Sequence, residues 1–277
     1  MTPAAARGRA PGMAAILGID AAWTATEPSG IALLRGDGGV WECVVVAPSY
    51  ASFVSAAKGT AVDWSRTPTS GRPDVGEILD AARKMLSGAS VDLVTIDMPV
   101  AMSPITCRRG ADDAISRAFG GRGCAVHTPS SKRPGPIADL LRAEFAAHGF
   151  SLATTDTPPR SHPALVEVFP HTAVLKLLGA SYRVPYKIAK AAKYWPSLPP
   201  VQRRTNVLTE WQKILGALGK VIGGVALKLP AAGGPRALKR YEDALDALVC
   251  GWVGVEYLAG RAIPYGDGTA AIWTPPC

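Results

Sequence analysis

Long apolar runs are missing from this 277-residue chain. No stretch reaches the roughly 18 to 20 uninterrupted apolar residues of a membrane-spanning helix, which argues against an integral membrane protein. Residues 1–12 carry Arg7 and Arg9 with no long apolar segment behind them, so they do not match a secretory signal peptide. We therefore predict a disordered lead-in over residues 1–13 and a single cytoplasmic domain over residues 14–277.

Clustered cysteines are missing as well. The five cysteines are odd in number and widely spaced: Cys43, Cys107, Cys124, Cys250 and Cys277. No C-x-x-C pair and no Cys/His group with zinc-ligand spacing occurs, which argues against a zinc site. We predict isolated thiols in a reducing cytoplasm.

Charged residues are sparse, and basic ones prevail. Charged residues make up 19% of the chain and hydrophobic ones 48%, which is typical of a globular protein rather than a disordered one. The 30 Lys and Arg against 22 Asp and Glu leave a formal net charge of +8. This excess favours a polyanionic partner such as nucleic acid or a nucleotide, although a basic surface without a partner gives the same balance.

Short apolar segments predict the secondary structure. Three strands are predicted at Ala14–Asp20, Gly30–Arg35 and Val40–Val46, and the Gly/Asp turn between the last two is typical of an antiparallel meander. Further along, strands are predicted over 91–97 and 165–169, helices over 75–86, 112–119, 137–148, 171–178 and 237–260, and a helical insertion over 187–235. This order predicts an α/β fold with a mixed sheet flanked by helices.

Four acids recur in apolar surroundings, where a carboxylate is costly unless its charge is compensated. Asp20, Asp97 and Glu167 lie in or at the end of apolar strands, and Asp246 lies within the last helix. Facing carboxylates repel unless a cation lies between them, and hard oxygen ligands select Mg²⁺ or Mn²⁺. The sequence therefore predicts a shared metal site, although each acid alone is equally consistent with a turn, a cap or an ordinary ion pair.

The last helix offers a second candidate ligand. Asp243 and Asp246 are three residues apart and therefore neighbours on one helical face, whereas Glu242 points about 100° further round. Asp246 has the more apolar neighbours. We expect Asp246 to be the metal ligand and Asp243 to be the alternative.

Four motifs, in this order and spacing, resemble a known family: Gly18-Ile-Asp20-Ala-Ala-Trp23, Ile96-Asp97-Met-Pro99, Glu167-Val-Phe-Pro170-His171 and Tyr241-Glu-Asp-Ala-Leu-Asp246. Over about residues 14–273 the chain is similar to the domain-of-unknown-function family DUF429, described as RNase H-like nucleases distantly similar to RuvC-type Holliday-junction resolvases. The resemblance implies a ribonuclease H-like fold, in which an antiparallel meander continues into parallel strands. It also implies metal-dependent cleavage of phosphodiester bonds in nucleic acid by an acid cluster.

Carried over by position, the resemblance implies that Asp20 bridges two ions, with Asp97 on the first ion and Asp246 on the second. The first ion would activate a water, and the second would stabilise the leaving oxygen. Glu167 matches the family's Glu-Val-x-Pro strand and is the fourth predicted catalytic acid. The segment 108–117 departs from the family's usual arginine-and-acid sequence.

Basic loops between the acids predict contacts to substrate. The predicted phosphate contacts, equally consistent with solvated loop charge, are Arg108, Arg109, Lys132 and Arg133. His171 is either a proton shuttle or phosphate contact, or a helix-cap or core histidine. Trp23 either stacks on a base or packs beneath the sheet.

Two other functions are open on the same residues. A nucleotide-binding phosphotransferase of the actin-like and sugar-kinase kind is one, because Asp20 followed by Thr24 and Thr26 is similar to a phosphate loop. Against it, Ala22 stands where that loop needs glycine. The other is a non-catalytic module that binds nucleic acid or a protein on the same fold.

Overall fold

A computed structural model describes residues 13–276, so the predicted lead-in lies almost entirely outside the described residues. The sheet strands are β1 (Ala14–Asp20), β2 (Gly30–Asp37), β3 (Val40–Ala47), β4 (Leu93–Ile96), β5 (Ser151–Leu152), β6 (Ala164–Val168), β7 (Ile222–Gly223), β8 (Ile263–Gly266) and β9 (Ala271–Thr274). The α-helices are α1 (Tyr50–Ala57), α2 (Val75–Met85), α3 (Gly110–Phe119), α4 (Pro136–Ala147), α5 (Pro170–Leu178), α6 (Ala191–Tyr194), α7 (Pro200–Leu218) and α8 (Pro235–Leu258).

The strands form one mixed sheet in the order β7-β3-β2-β1-β4-β6-β9-β8, with β5 pairing beside β6. The predicted meander is confirmed, since β2 runs antiparallel to both β1 and β3. Strands β4 and β6 continue the sheet parallel to β1, with Ile19 opposite Ile96 and Ile96 opposite Glu167. The carboxyl ends of β1, β4 and β6 therefore meet at one edge.

Helices cover both faces of the sheet, which is why its central strands are apolar at nearly every position. In β1, Leu17 and Ile19 pack with residues of α1, α2 and α4, such as Phe53 and Ile78. Ile16 points to the opposite face and joins the core formed by α5, α7 and α8. The sheet thus separates two hydrophobic cores.

Helix α8 lies unusually close to β1 and β2 because glycine stands at the contact points. A Cβ atom at Gly18 would overlap the carbonyl oxygen of Ala247, and one at Gly30 would overlap that of Asp243. The absence of these two side chains brings the acidic turn of α8 against the end of β1. None of the helices in the described part of the chain is long and apolar enough to cross a membrane.

The segment 187–235 differs from the predicted helical insertion. Besides α6 and α7 it contains β7, which pairs in parallel with β3, and it buries Trp211 completely in the core. Helix α1 and strands β5, β7, β8 and β9 were not predicted. Each is eight residues or shorter, so their local pattern is too short to distinguish them from loops.

Candidate active site

Two predicted catalytic acids lie side by side at the ends of neighbouring parallel strands. Asp20 is the last residue of β1, and Asp97 follows directly after β4. The backbone N–H of Asp97 donates to the carbonyl oxygen of Ile19 at 2.8 Å. Because adjacent strands are roughly 4.8 Å apart, the two carboxylates leave the sheet at one point.

Helix α8 brings Glu242, Asp243 and Asp246 to the same point, and all three are buried. Glu242 is buried although it points further round the helix, because α8 is enclosed on nearly every side and acids on two faces are covered. The ammonium group of Lys187 contacts Asp246 and lies 3.8 Å from Oε1 of Glu242. The ammonium group of Lys239 lies 3.0 Å from that same oxygen and contacts Asp243.

Asp246 lies deeper than Asp243. It is fully buried, and it accepts hydrogen bonds from the Tyr186 hydroxyl at 2.8 Å and from Lys187. Asp243 instead lines the cavity next to Asp20. The deeper burial predicted for Asp246 is therefore confirmed, whereas Asp243 faces the cleft; which of the two is the metal ligand stays a prediction.

These residues form a cluster with more acids than bases, which we call the acid cluster: Asp20, Asp97, Glu242, Asp243 and Asp246 with Lys187 and Lys239. Burial, followed by the charges of Asp243 and Asp246, raises the pKa of Asp20 well above its ordinary value. Burial also raises the pKa of Asp97 to about 7 and that of Asp243 to about 6. The excess negative charge favours the uptake of protons or of a cation.

Replacing Asp97 by asparagine is expected to weaken the pH dependence of stability. The pKa of Asp97 rises from 3.8 to about 7 on folding, so the folded protein binds more protons in this interval. The free energy of unfolding therefore falls as the pH rises from about 4 to about 7, by on the order of 2 kcal/mol after allowance for solvent at the cleft.

Urea unfolding at pH 5 and pH 8, in the presence of chelator, measures this difference. Asp97→Asn should reduce the decrease in stability, whereas the control Asp80→Asn, exposed on α2, should leave it unchanged. Equal decreases in wild type and Asp97→Asn would show that this carboxyl titrates normally.

The donor set fits a hard divalent cation in chemistry, since Asp20, Asp97 and Asp243 supply only carboxylate oxygens and the acid cluster has excess negative charge. Across residues 13–276, however, no three His, Cys, Asp or Glu side chains form a ready-made ligand set. Instead, the ammonium groups of Lys187 and Lys239 take up oxygens of the α8 acids. The metal site stays a prediction, and it requires these lysines to move aside.

Glu167 is engaged in a separate ion pair. Its oxygens accept from Arg109 Nη1 at 2.6 Å, from Arg109 Nη2 at 2.7 Å and from the Val100 N–H at 3.0 Å. Arg109 also donates to Asp112 and to the Val100 carbonyl, so all five of its N–H groups are used. Catalysis by Glu167, or phosphate binding by Arg109, would require these bonds to break.

The other predicted phosphate contacts lie in different places. Arg108 donates to Asp113 at 2.5 Å and to Ser116 at 2.6 Å, which ties it to α3. Lys132 is exposed, and it lines neither of two adjoining cavities of about 450 and 340 Å³. Arg133 lines both, with its guanidinium 5.6 Å from the centre of the Trp23 ring.

His171 is buried among aromatic rings. Its ring centre is 5.1 Å from that of Tyr186, and its Nε2 is hydrogen-bonded to Arg183. Burial, followed by the charges of Lys187 and Arg183, lowers the pKa of His171 well below its usual value. The neutral imidazole therefore accepts the bond from Arg183 and orients that guanidinium.

The acid cluster forms the floor of a cleft made of two cavities. One, of about 450 Å³, is lined by Asp20 and Asp243. The other, of about 340 Å³, is lined by Asp97, and the two share Trp23, His127, Arg133 and Lys239. Trp23 thus lines the cleft instead of being enclosed beneath the sheet. Both volumes are in the range typical of small-molecule sites, roughly 300–1,000 Å³.

Sequence reasoning missed several site residues. The contacts of Lys239 could have been predicted, because Lys239 precedes Glu242 and Asp243 by three and four residues and therefore lies on the same helical face. Those of Lys187 could not, because it lies far from α8 in the chain and only folding brings it to Asp246. The same holds for Arg183 and its contact with His171.

Comparison with protein-family models matches residues 18–270 to the family described as "Protein of unknown function (DUF429)". No match was found among curated proteins or among solved structures. The matched range contains every acid of the acid cluster. Because it spans most of the chain, the protein belongs to the DUF429 family.

Proposed function

We propose that the protein is a metal-dependent nuclease that hydrolyses phosphodiester bonds of DNA or RNA at the acid cluster. One observation carries the proposal: acids in excess over bases line a cleft whose walls carry cations that form no ion pair within residues 13–276. The acids suit a divalent cation, and the wall cations suit the phosphates of a polyanion.

The topology supports this proposal. The strand order β3-β2-β1-β4-β6 combines an antiparallel meander with parallel strands, as the RNase H-like hypothesis requires. Asp20 and Asp97 stand at the carboxyl ends of the first and fourth strands, and Asp246 stands on the closing helix. Fold similarity alone does not establish chemistry, so the proposal depends on the site.

The side chains that would hold Mg²⁺ or Mn²⁺ are Asp20, Asp97, Asp243 and Asp246. When bound, such an ion supplies activation of a water and stabilisation of charge on the leaving oxygen. The raised pKa of Asp97, about 7, means that part of the cluster must lose protons before binding a cation. Cleavage should therefore increase from pH 6 to pH 8.

The chain's own residues perform the binding steps. Arg133, Arg183 and Lys190 line the cleft and can neutralise substrate phosphates. Tyr186 holds Asp246 in position through its hydroxyl at 2.8 Å. Lys187 and Lys239 offset part of the negative charge through their ion pairs with Glu242, Asp243 and Asp246.

A cleavage assay on the full chain tests the proposal. Labelled single- and double-stranded DNA, RNA, RNA–DNA hybrids and branched junctions are incubated with Mg²⁺, Mn²⁺ or chelator. We expect products from at least one substrate with metal and none with chelator. In the absence of substrate, Mn²⁺ should also raise the melting temperature, since a ligand at 100 times its Kd adds about 2.7 kcal/mol to stability.

Two results would favour the alternatives. Binding of nucleic acid without products under any metal condition would favour the non-catalytic module. Stabilisation by ATP without cleavage would favour the phosphotransferase, for which the small-molecule size of the two cavities is the supporting observation. Against the phosphotransferase, the Thr24 hydroxyl is hydrogen-bonded within its own loop, to Glu27 and Thr26.

A further inference from the structure

The cleft also carries cations outside the acid cluster, in the same 340 Å³ cavity that Asp97 and Glu242 line. Arg183 and Lys190 line the 340 Å³ cavity beside His127 and Arg133. Among the ion pairs of residues 13–276, none involves Arg133, Arg183 or Lys190, whereas Lys187 and Lys239 are each paired with two acids. We call Arg133, Arg183 and Lys190 the cationic wall.

Arg183 is held in place but not saturated. Nη1 donates to the Gly123 carbonyl at 3.2 Å, and Nη2 donates to the neutral ring of His171. Its Nε–H is buried, and the guanidinium also interacts with the Tyr194 hydroxyl. Nη1 and Nη2 each carry two N–H groups and donate one hydrogen bond each, so this guanidinium has donors left for an anionic ligand.

The cations of this region repel one another. Burial, followed by the charges of Lys190, Arg133 and Arg183, lowers the pKa of His127. Burial, followed by Arg183, Lys187 and Lys193, lowers the pKa of Lys190. Burial is the largest cause of both shifts and the neighbouring cations add to it, whereas Glu242 acts in the opposite direction on Lys190. A dianion between these cations would relieve their mutual repulsion.

Size and layout restrict the ligand. The cavity of about 340 Å³ is too small for a duplex and is adequate for one nucleotide unit. It joins the cavity next to Asp20 through Trp23 and Arg133, so a ligand at the cationic wall lies next to the acid cluster. Arginine and lysine are the side chains that bind phosphate groups best.

We propose that the cationic wall is a subsite for a terminal phosphate monoester. The protein would then prefer substrates that carry a terminal phosphate one nucleotide away from the phosphodiester bond held at the acid cluster. The reaction part of this inference rests on the proposed nuclease function, whereas the binding part does not. The phosphate belongs either to the end of a nucleic-acid strand or to a free mononucleotide, and the two share the same dianionic group.

Calorimetric binding in chelator, where no metal-dependent cleavage occurs, tests the subsite. The probes are a short single-stranded oligonucleotide with a 5′-phosphate, with a 3′-phosphate and with neither, and a nucleoside monophosphate beside its nucleoside. We expect one phosphorylated form to bind about tenfold or more tightly than its unphosphorylated counterpart, as charge-assisted hydrogen bonds predict. If only the phosphorylated oligonucleotide binds more tightly, the ligand of the subsite is the end of a strand. If the nucleoside monophosphate binds as tightly as the phosphorylated oligonucleotide, the ligand is a free nucleotide.

Matched lysine variants locate the effect. Lys190→Gln should reduce the preference for phosphate about tenfold, whereas Lys193→Gln, exposed on α6 and outside the cavity, should leave it unchanged. Arg183→Gln should reduce the preference for phosphate as Lys190→Gln does. If Arg183→Gln fails to fold, Lys190→Gln alone tests whether the preference depends on the cationic wall. Equal binding of phosphorylated and unphosphorylated probes, or equal losses in the two lysine variants, would overturn the subsite.

The outcomes separate this inference from the proposed function. Phosphate preference without metal-dependent cleavage would retain the subsite and reject the nuclease. Cleavage without phosphate preference would retain the nuclease and reject the subsite.

Discussion

Replacing Arg109 by methionine is expected to lower the free energy of unfolding by about 3–5 kcal/mol, because it leaves buried carboxylates without their partner. The side chain of Arg109 is only 8% exposed and lies 2.6 Å from both Asp112 and Glu167. Without it, these two acids must either stay charged in a poorly solvated site or take up protons. The loss should therefore be larger at pH 8 than at pH 5, which chemical denaturation at the two pH values measures.

Two comparisons make this result specific. Arg261→Met removes an exposed pair with Glu256 and should cost less than about 1 kcal/mol. Combining Arg109→Met with Glu167→Gln should recover part of the lost stability, since one of the two unpaired charges is gone. If Arg109→Met is as mild as Arg261→Met, this ion pair is not a structural element, and Arg109 becomes available as the phosphate contact that the sequence predicted.

Replacing Asp20 by asparagine is expected to reduce metal-dependent cleavage at least about a hundredfold while leaving the protein as stable as wild type or more stable. A metal ligand contributes several kcal/mol to the transition state, and each 1.4 kcal/mol corresponds to a factor of ten. Stability should not fall, because burial and the charges of Asp243 and Asp246 already disfavour the ionised form of Asp20. Cleavage rate, melting temperature and Mn²⁺-induced stabilisation are measured on the same preparation.

The control for this prediction is Asp80→Asn, which makes the same chemical change on the exposed surface of α2. It should cleave at the wild-type rate and retain stabilisation by Mn²⁺. If Asp20→Asn cleaves as fast as Asp80→Asn, the acid cluster is not the site of hydrolysis. If Asp20→Asn instead unfolds, the carboxylate has a structural role that its raised pKa argues against.

The central strands and main helices were predictable because their signals are local. The strand predicted at Ala14–Asp20 is β1 without a shift, and Asp74, directly before the helix predicted over 75–86, caps α2 by accepting from the Glu77 N–H at 2.9 Å. Continuous apolar runs and capping residues act within a few positions along the chain. Strands β8 and β9, of four residues each, lack such a signal and exist because β9 pairs with β6 and β8 pairs with β9.

The positions of the strand acids were also predictable, whereas their partners were not. Asp20 and Asp97 end apolar strands, and parallel strands bring their carboxyl ends together whatever the loops do. The pairing of Glu167 with Arg109 depends on how the loop after β4 returns over β6. Contacts between residues so distant in sequence leave no periodic pattern, so the predicted roles of these two residues could not take their ion pair into account.

The amino-acid sequence alone determined the apolar sheet covered on both faces, the meander and the acids at the edge of the sheet. These features follow from the sequence because burial and strand formation depend on the residue type at each position. Folding alone decided which cation faces which acid. Lys187 reaches Asp246, and Lys190 of the cationic wall lines the cleft, only because segment 187–235 packs against α8. The energies of such charges depend on separation and burial in three dimensions, and these two quantities have no counterpart in a linear pattern.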